Sequence, residues 1–409
     1  MSVELRQAGA QAARRLRQLH STFHREGLSG VGRRVQAAAA DWLSPKQVMF
    51  PVRAADVLAA DLSQPFQPVP RRTQVDGRTV LNWVTTPPGL GSGGHSTTFR
   101  IIKWLEQLGY VNRVYFYDAY GGDHAYYASI VRDAYAFKGL VSSMDDPMED
   151  ADAVIATSWP TAYAVFNARC SGKRYYFVQD YEPSFHPVGS WSVLAENTYR
   201  MGLHGITAGA WLASKLRSEF GMKADHFEFG CDISKYQRKA EASRRGVAYY
   251  ARPETPRRGY EIGIMALEVF KQRRPDIQLH LYGESLGRLP FDCVEHGRVT
   301  VEQLNEIYNQ CYAGLSISLT NVSLVPHEML AAGCIPVVND ASQNRTVLNN
   351  PHVEYAPLTP HALAAALETV VTRPDFDTVS RAAASSVQSA LWSDAGARVD
   401  SILKYGLAS

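Results

Sequence analysis

LSISLTNVSLVPHEMLAAGCIPVV (residues 315–338) decides the fold. It opens as a buried strand, passes through a polar turn, and enters a helix near Ser323 that carries Glu328 in its early turns. Gly333 suits the end of that helix, and the β-rich run that follows contains Pro336. A strand, a crossover helix and a second strand so closely coupled form the unit of a parallel sheet.

The same alternation extends on both sides. VAYYAR (247–252), IQLHLYG (277–283), YAGLSIS (312–318), CIPVVN (334–339) and VEYAP (353–357) read as strands, with helices near 259–272, 301–310, 325–332, 342–349 and 360–372. An earlier series consists of TVLNWVTT (79–86), RVYFYD (113–118), AVIATS (153–158), RYYFVQ (174–179) and HGITAG (204–209), with helices at 95–108, 159–169, 191–201 and 210–220. Two α/β series predict two Rossmann-like, doubly wound domains. They are expected at 71–235 and 245–375 and meet near the polar stretch 232–246. Residues 376–409 are expected as helices crossing back to the first domain, and residues 1–70 as a basic helical extension and connector. The expected binding site is the cleft at the carboxyl ends of both sheets.

The 409 residues suffice for two such cores, and a formal charge of +2 names no nucleic-acid partner. Five cysteines, with no C-x-x-C pair, suit a reducing cytoplasm. No apolar run is long enough to span a bilayer. Residues 1–34 hold seven arginines against Glu4 and Glu26, with Leu5, Leu16, Leu19 and Phe23 near helical spacing. Such a helix either lies on an anionic membrane face or packs on the body of the protein.

Within PPGLGSGG (87–94), Gly89, Gly91 and Gly94 have the G-x-G-x-x-G spacing of a dinucleotide-binding turn, and Asp118 ends the next strand. Pro87 and Pro88 lengthen the turn beyond that fingerprint. Amides at a helix start can equally hold a phosphate or sugar oxygen, so an NAD-dependent oxidoreductase stands as an alternative. Asp150 and Asp152 spell Asp-x-Asp but precede a strand, which favours a solvated acidic turn over a metal site.

In this order the motifs resemble the nucleotide-sugar glycosyltransferases of the GT-B fold, family four. Glu328 matches the second glutamate of their paired-glutamate motif and AAGCIPVV (331–338) its tail, while Thr320 stands at the first glutamate. YYARPETPRRGYEIGIMALEVF (249–270) is similar to that family's segment of an arginine followed, a short turn later, by a lysine-glycine pair, with Arg252 and Arg258 at its two basic positions. IQLHLYGE (277–284) and HGRVTVEQLNEIY (296–308) resemble the elements beside the nucleotide, and PPGLGSGGHSTTF (87–99) the glycine-rich loop. In YYFVQDYEP (175–183), Gln179 replaces the usual histidine, and Asp180 and Glu182 supply carboxylates.

The resemblance implies a retaining transferase without cofactor or metal. Arg252 and Arg258 would stabilise the leaving diphosphate, and Asp180 and Glu182 would be the catalytic carboxylates. Gly91, Gly93, Gly94, His95, Gly283, Arg298, Thr320, Asn321, Ser323, Leu324 and Glu328 would complete the donor site. VQDYEPSF and VPHEMLAAGCIPVV are most similar to bacterial rhamnosyltransferases of surface-glycan assembly. That implies dTDP-L-rhamnose as donor and a growing, lipid-linked glycan as acceptor. A non-catalytic sugar-binding protein is the remaining alternative.

Overall fold

The computed structural model describes residues 51–64, 77–89 and 91–408. The basic extension 1–34 lies outside them. Seven strands form the first sheet: β1 (Val80–Thr85), β2 (Val111–Phe116), β3 (Leu140–Ser143), β4 (Ala153–Ala156), β5 (Lys173–Val178), β6 (His204–Ala208) and β7 (Ala224–Phe227). Their order is β3-β2-β1-β4-β5-β6-β7, and every pairing is parallel. Six strands form the second: β8 (Gly246–Ala251), β9 (Gln278–Gly283), β10 (Val294–Glu295), β11 (Cys311–Ser316), β12 (Ile335–Asn339) and β13 (Glu354–Ala356). Their order, β10-β9-β8-β11-β12-β13, is again wholly parallel.

Burial on both faces explains why the central strands are near-continuous apolar runs. In the first sheet Trp83, Phe177 and Phe227 fill the core, with Phe177 stacked on Phe227 at 5.3 Å and edge-on to Trp83 at 5.9 Å. The Trp83 indole N–H donates to Asn112 Oδ1 at 2.8 Å, so the polar tip of this fully buried ring is satisfied. In the second sheet β11 and β12 are buried throughout except at Tyr312. At Gly259, φ is +59° and an added Cβ would lie 2.8 Å from Ile317, so only glycine fits the turn that starts helix Tyr260–Arg273.

The direction in which successive strands are added reverses between β1 and β4 in the first sheet and between β8 and β11 in the second. The carboxyl ends of strands beside these switch points are where an open parallel sheet leaves room for a ligand. Here the two ends meet, because Asn321, after β11, bonds to Gln179 and Asp180, after β5. The stretch 232–246 does not hang free. Arg244 donates to the carbonyls of Tyr308, Cys311 and Ala332, and Asn309 holds Gln237 and Lys239. The last helix, Trp392–Ala408, packs on the first half, where Gly396 lies against Trp104 and Tyr110 donates to Asp400 at 2.7 Å.

Candidate active site

The glycine loop ends at Ser92, the N-cap of helix Gly93–Gln107. Gly91 has φ +75°, and an added Cβ at Gly93 would meet nothing within 4 Å, so the amides at this helix start are open to approach. His95 faces inward, with Nε2 3.0 Å from the Thr86 carbonyl and Nδ1 2.9 Å from Ser92 Oγ. A carbonyl only accepts, so Nε2 carries the proton, and burial lowers the ring's pKa. Both ring nitrogens are occupied in shaping the loop. Gln179 Nε2 donates to Gly94 O at 3.0 Å and to Thr98 Oγ1 at 3.1 Å, tying the loop to the end of β5.

From β5 the chain reaches Asp180. Its Oδ1 accepts the amides of Tyr181 at 2.8 Å and Asn321 at 2.7 Å, and its Oδ2 lies 3.4 Å from Arg257 Nε. Asn321 is fully buried; its Nδ2 donates to Gln179 O and Ala208 O, both at 2.9 Å, and its Oδ1 accepts the Val322 amide. Both polar atoms of that side chain are therefore engaged, Nδ2 in joining the halves and Oδ1 in holding its own loop, so neither is left to face a sugar. Thr320 beside it is 3% exposed, and among the described residues its Oγ1 has no hydrogen-bond partner, which leaves one buried hydroxyl able to bond a ligand.

Glu182 is near enough to Asp180 and Arg257 for both to act on its charge, but its hydrogen bonds go elsewhere. Its oxygens accept the Trp159 amide at 2.6 Å and the Tyr176 hydroxyl at 2.9 Å, inside the first half. It thus caps helix Trp159–Asn167, and burial pushes its carboxyl up to about 8. This corrects its expected place among the catalytic carboxylates, since neither oxygen is presented to the cleft.

Arg258 NH1 donates to Ser318 Oγ at 2.7 Å and to Asn321 O at 3.3 Å. Among the described residues no carboxylate forms an ion pair with it, and burial lowers its pKa. Asp180 favours its charge while Arg257 and Arg252 oppose it, and a desolvated cation hydrogen-bonded only to neutral groups is costly, so a further anion beside it would offset that cost. Arg252 follows β8, with Nε 3.1 Å from Glu284 Oε1 and NH1 2.8 Å from the Tyr250 hydroxyl. Gly283 has φ +124° and accommodates the Ala251 carbonyl, which would lie 2.6 Å from a Cβ. Its amide donates to Gly297 O at 2.8 Å; Arg298, the next residue, is exposed.

Glu328 belongs to a second group. It lies on helix Val325–Ala331, which follows Ser323 and Leu324, and burial raises its carboxyl to about 7. Arg100 and a hydrogen bond with Tyr236 oppose that rise, while Asp232 adds to it. Arg100 is itself ion-paired with Asp232 and lies 4.7 Å over the Trp392 ring. Arg100, Tyr236 and Arg257 were not expected at the site; only the P-R-R-G sequence hinted at Arg257.

Two other sequence features have structural roles. Asp118 Oδ1 accepts the Tyr120 amide and Oδ2 the Gly122 amide, so the carboxylate beside the G-x-G-x-x-G loop closes its own turn. Asp150 accepts the Ser171 amide and Asp152 the Val80 amide, both at 2.7 Å. Asp152 is 5% exposed, so the expected solvated turn is instead a buried brace at the amino end of β4, away from the cleft.

Two parallel-sheet α/β halves that meet at their carboxyl ends define this as a GT-B fold. Residues 245–368 match the family described as WsaF, C-terminal domain, and residues 142–208 that described as WsaF, N-terminal domain. The O-antigen biosynthesis protein RfbC of Myxococcus xanthus is 33% identical over 208 residues, a match that covers 49% of this chain and 16% of that protein. The sucrose-phosphate synthase of Thermosynechococcus elongatus superposes with a TM-score of 0.62 at 12% identity, covering 81% of this chain and all of that one. HepE of Anabaena, in complex with UDP and glucose, gives 0.62 at 15% identity, covering 80% of this chain and all of that one. Among the described residues, no helix is long and apolar enough to cross a membrane.

Proposed function

We propose that the chain is a glycosyltransferase that moves L-rhamnose from dTDP-L-rhamnose to a growing, lipid-linked bacterial surface glycan, with retention at the anomeric carbon. The observation that carries this reading is Arg258, a half-buried cation at the junction whose described hydrogen-bond partners are both neutral and which stands with Arg252 and Arg257 near the single carboxylate of Asp180. A nucleoside diphosphate brings the missing negative charge, and that charge grows as the sugar leaves. Arg252 adds a second guanidinium, and the open amides from Gly93 onward a third source of donors.

Likeness supports the donor class and the setting. HepE was solved with UDP and glucose on the same fold, and the RfbC relative is named for O-antigen biosynthesis. The rhamnose reading rests on the resemblance of VQDYEPSF and VPHEMLAAGCIPVV and on Thr320, whose hydroxyl stands where related enzymes carry a carboxylate. A 6-deoxyhexose is less polar than glucose, which suits that exchange. Asp118 weakens the oxidoreductase alternative, because both its oxygens are already bonded.

Incubation with dTDP-L-rhamnose and a lipid-linked glycan fraction tests the reading. Rhamnosylated product with release of dTDP is expected; transfer from UDP-glucose alone would replace the sugar, and binding without product would favour the non-catalytic alternative. The arginine-rich residues 1–34 would hold the enzyme on the cytoplasmic membrane face where such an acceptor resides, each arginine contributing up to about 1 kcal/mol before screening. Unchanged liposome binding after their deletion would refute that placement.

A further inference from the structure

Arg258 takes the basic position of the motif, yet its neighbour is the guanidinium that both halves hold in place. Arg257 sits in the short helical turn Pro256–Arg258, and its carbonyl accepts the Leu319 amide at 3.0 Å, which joins the loops after β8 and β11. Its guanidinium carbon lies 4.2 Å from the ring centroid of Phe185, in the first half. Its Nε is buried 3.4 Å from Asp180 Oδ2, also in the first half. The side chain is nevertheless 30% exposed, and among the described residues its terminal nitrogens have no hydrogen-bond partner.

A ring beneath one face and a carboxylate at one edge fix the plane of this fork and leave its outer donors unused. Asp180 cannot turn away, because its other oxygen already accepts the Tyr181 and Asn321 amides. An arginine so held loses little freedom when it meets a phosphate, and its planar fork suits two phosphate oxygens at once. Arg258, by contrast, already directs NH1 to Ser318 and Asn321.

We propose that Arg257 is a phosphate-binding residue of the donor site, that it takes the β-phosphate of the nucleoside diphosphate, and that Phe185 and Asp180 of the first half hold it ready. The inference rests on reading the cleft as a nucleoside diphosphate site. It adds that recognition of the outer phosphate depends on contact between the two halves. A phosphate on the acceptor would suit the same fork, and paired nucleotides separate these sources because they differ only in the β-phosphate.

The test is calorimetric titration of the full chain with dTDP and with dTMP, for wild type, Arg257→Ala, Arg257→Gln and Phe185→Leu. Loss of a charge-assisted contact should weaken dTDP binding by about tenfold or more in both Arg257 variants. The dTMP affinity should stay within about twofold. Phe185→Leu, which keeps the cation but removes its support, should fall between wild type and Arg257→Ala for dTDP only. Should Arg257→Ala fail to melt cooperatively, Arg257→Gln decides on the same criterion. Unchanged dTDP affinity in a well-folded Arg257 variant, or an equal loss for both nucleotides, would overturn the assignment. A wild-type chain that binds neither nucleotide would defeat the donor-site reading itself, whereas a variant with wild-type preference for dTDP defeats only this inference.

Discussion

Asp180 Oδ1 accepts the backbone N–H of Asn321 at 2.7 Å, across the junction of the two sheets. Asn321 returns two bonds to carbonyls of the first half, at Gln179 and Ala208. The carboxyl end of β5 and the loop after β11 are thereby one polar unit, and the arginines of the turn before Gly259 pack against it.

Asn321→Ala should uncouple that unit. It removes both donors to buried carbonyls and the acceptor of the Val322 amide, and an unmet buried polar group costs about 1–3 kcal/mol. A stability loss of roughly 2–4 kcal/mol in denaturant titration is expected. Asn321→Asp, which keeps the acceptor but not the donors, should lose nearly as much. A loss below about 0.5 kcal/mol, the usual range for surface substitutions, would show that the junction is not held this way.

Glu182 should make stability depend on pH. Its folded carboxyl lies near 8, above the usual glutamate range, so the folded chain keeps a proton that the unfolded chain releases. Stability contributed by this group is therefore full at acid pH and falls as pH rises from about 4.5 to about 8. Glu182→Gln removes the titrating group, so the difference between wild type and Glu182→Gln should grow across that window. A constant difference from pH 5 to pH 8 would place an ionised carboxylate there. Glu182→Ala leaves the Trp159 amide and the Tyr176 hydroxyl unmet, at about 1–3 kcal/mol each.

Much of the fold was legible because buried parallel strands are continuous apolar runs. All ten expected strands are present within a residue or two at each end, whereas β3, β7 and β10 went unread. LVSS, ADHF and VE are short sheet-edge strands with partly exposed side chains, so they lack the apolar signal. The stretch 376–409, expected as helices, holds Phe376–Ser386 and Trp392–Ala408. Residues such as Gly94, Asp180, Arg258 and Asn321 could be picked out by motif position. Their partners could not: Glu182 is bound by Trp159, a contact spanning 23 residues, and Asn321 by Ala208, one spanning 113.

Glu328 offers a separate prediction in ligand binding. Burial raises its carboxyl to about 7, with Arg100 and Tyr236 opposing the rise and Asp232 adding to it. If it accepts a bond from the nucleoside sugar, the ionised form is the better acceptor, so dTDP affinity should rise as pH goes from about 6 to about 8. Glu328→Gln should flatten that rise, since titration of the nucleotide's own phosphate is common to both proteins. Glu328→Ala should weaken binding further and lower the maximal rate, because remote contacts position the donor. Equal pH profiles for wild type and Glu328→Gln would place the nucleoside elsewhere.

The central claim is that an arginine-lined junction holds a nucleoside diphosphate. Calorimetric titration with dTDP, UDP, GDP and NAD in the presence of EDTA, on wild type and Arg258→Ala, tests it most directly. Saturable binding of a nucleoside diphosphate, with dTDP preferred, should survive EDTA in wild type. Arg258→Ala should lose about 10- to 100-fold in affinity, the scale of charged hydrogen bonds to phosphate. Binding of NAD but of no nucleoside diphosphate, or dTDP binding that returns only when a divalent metal is restored, would contradict it.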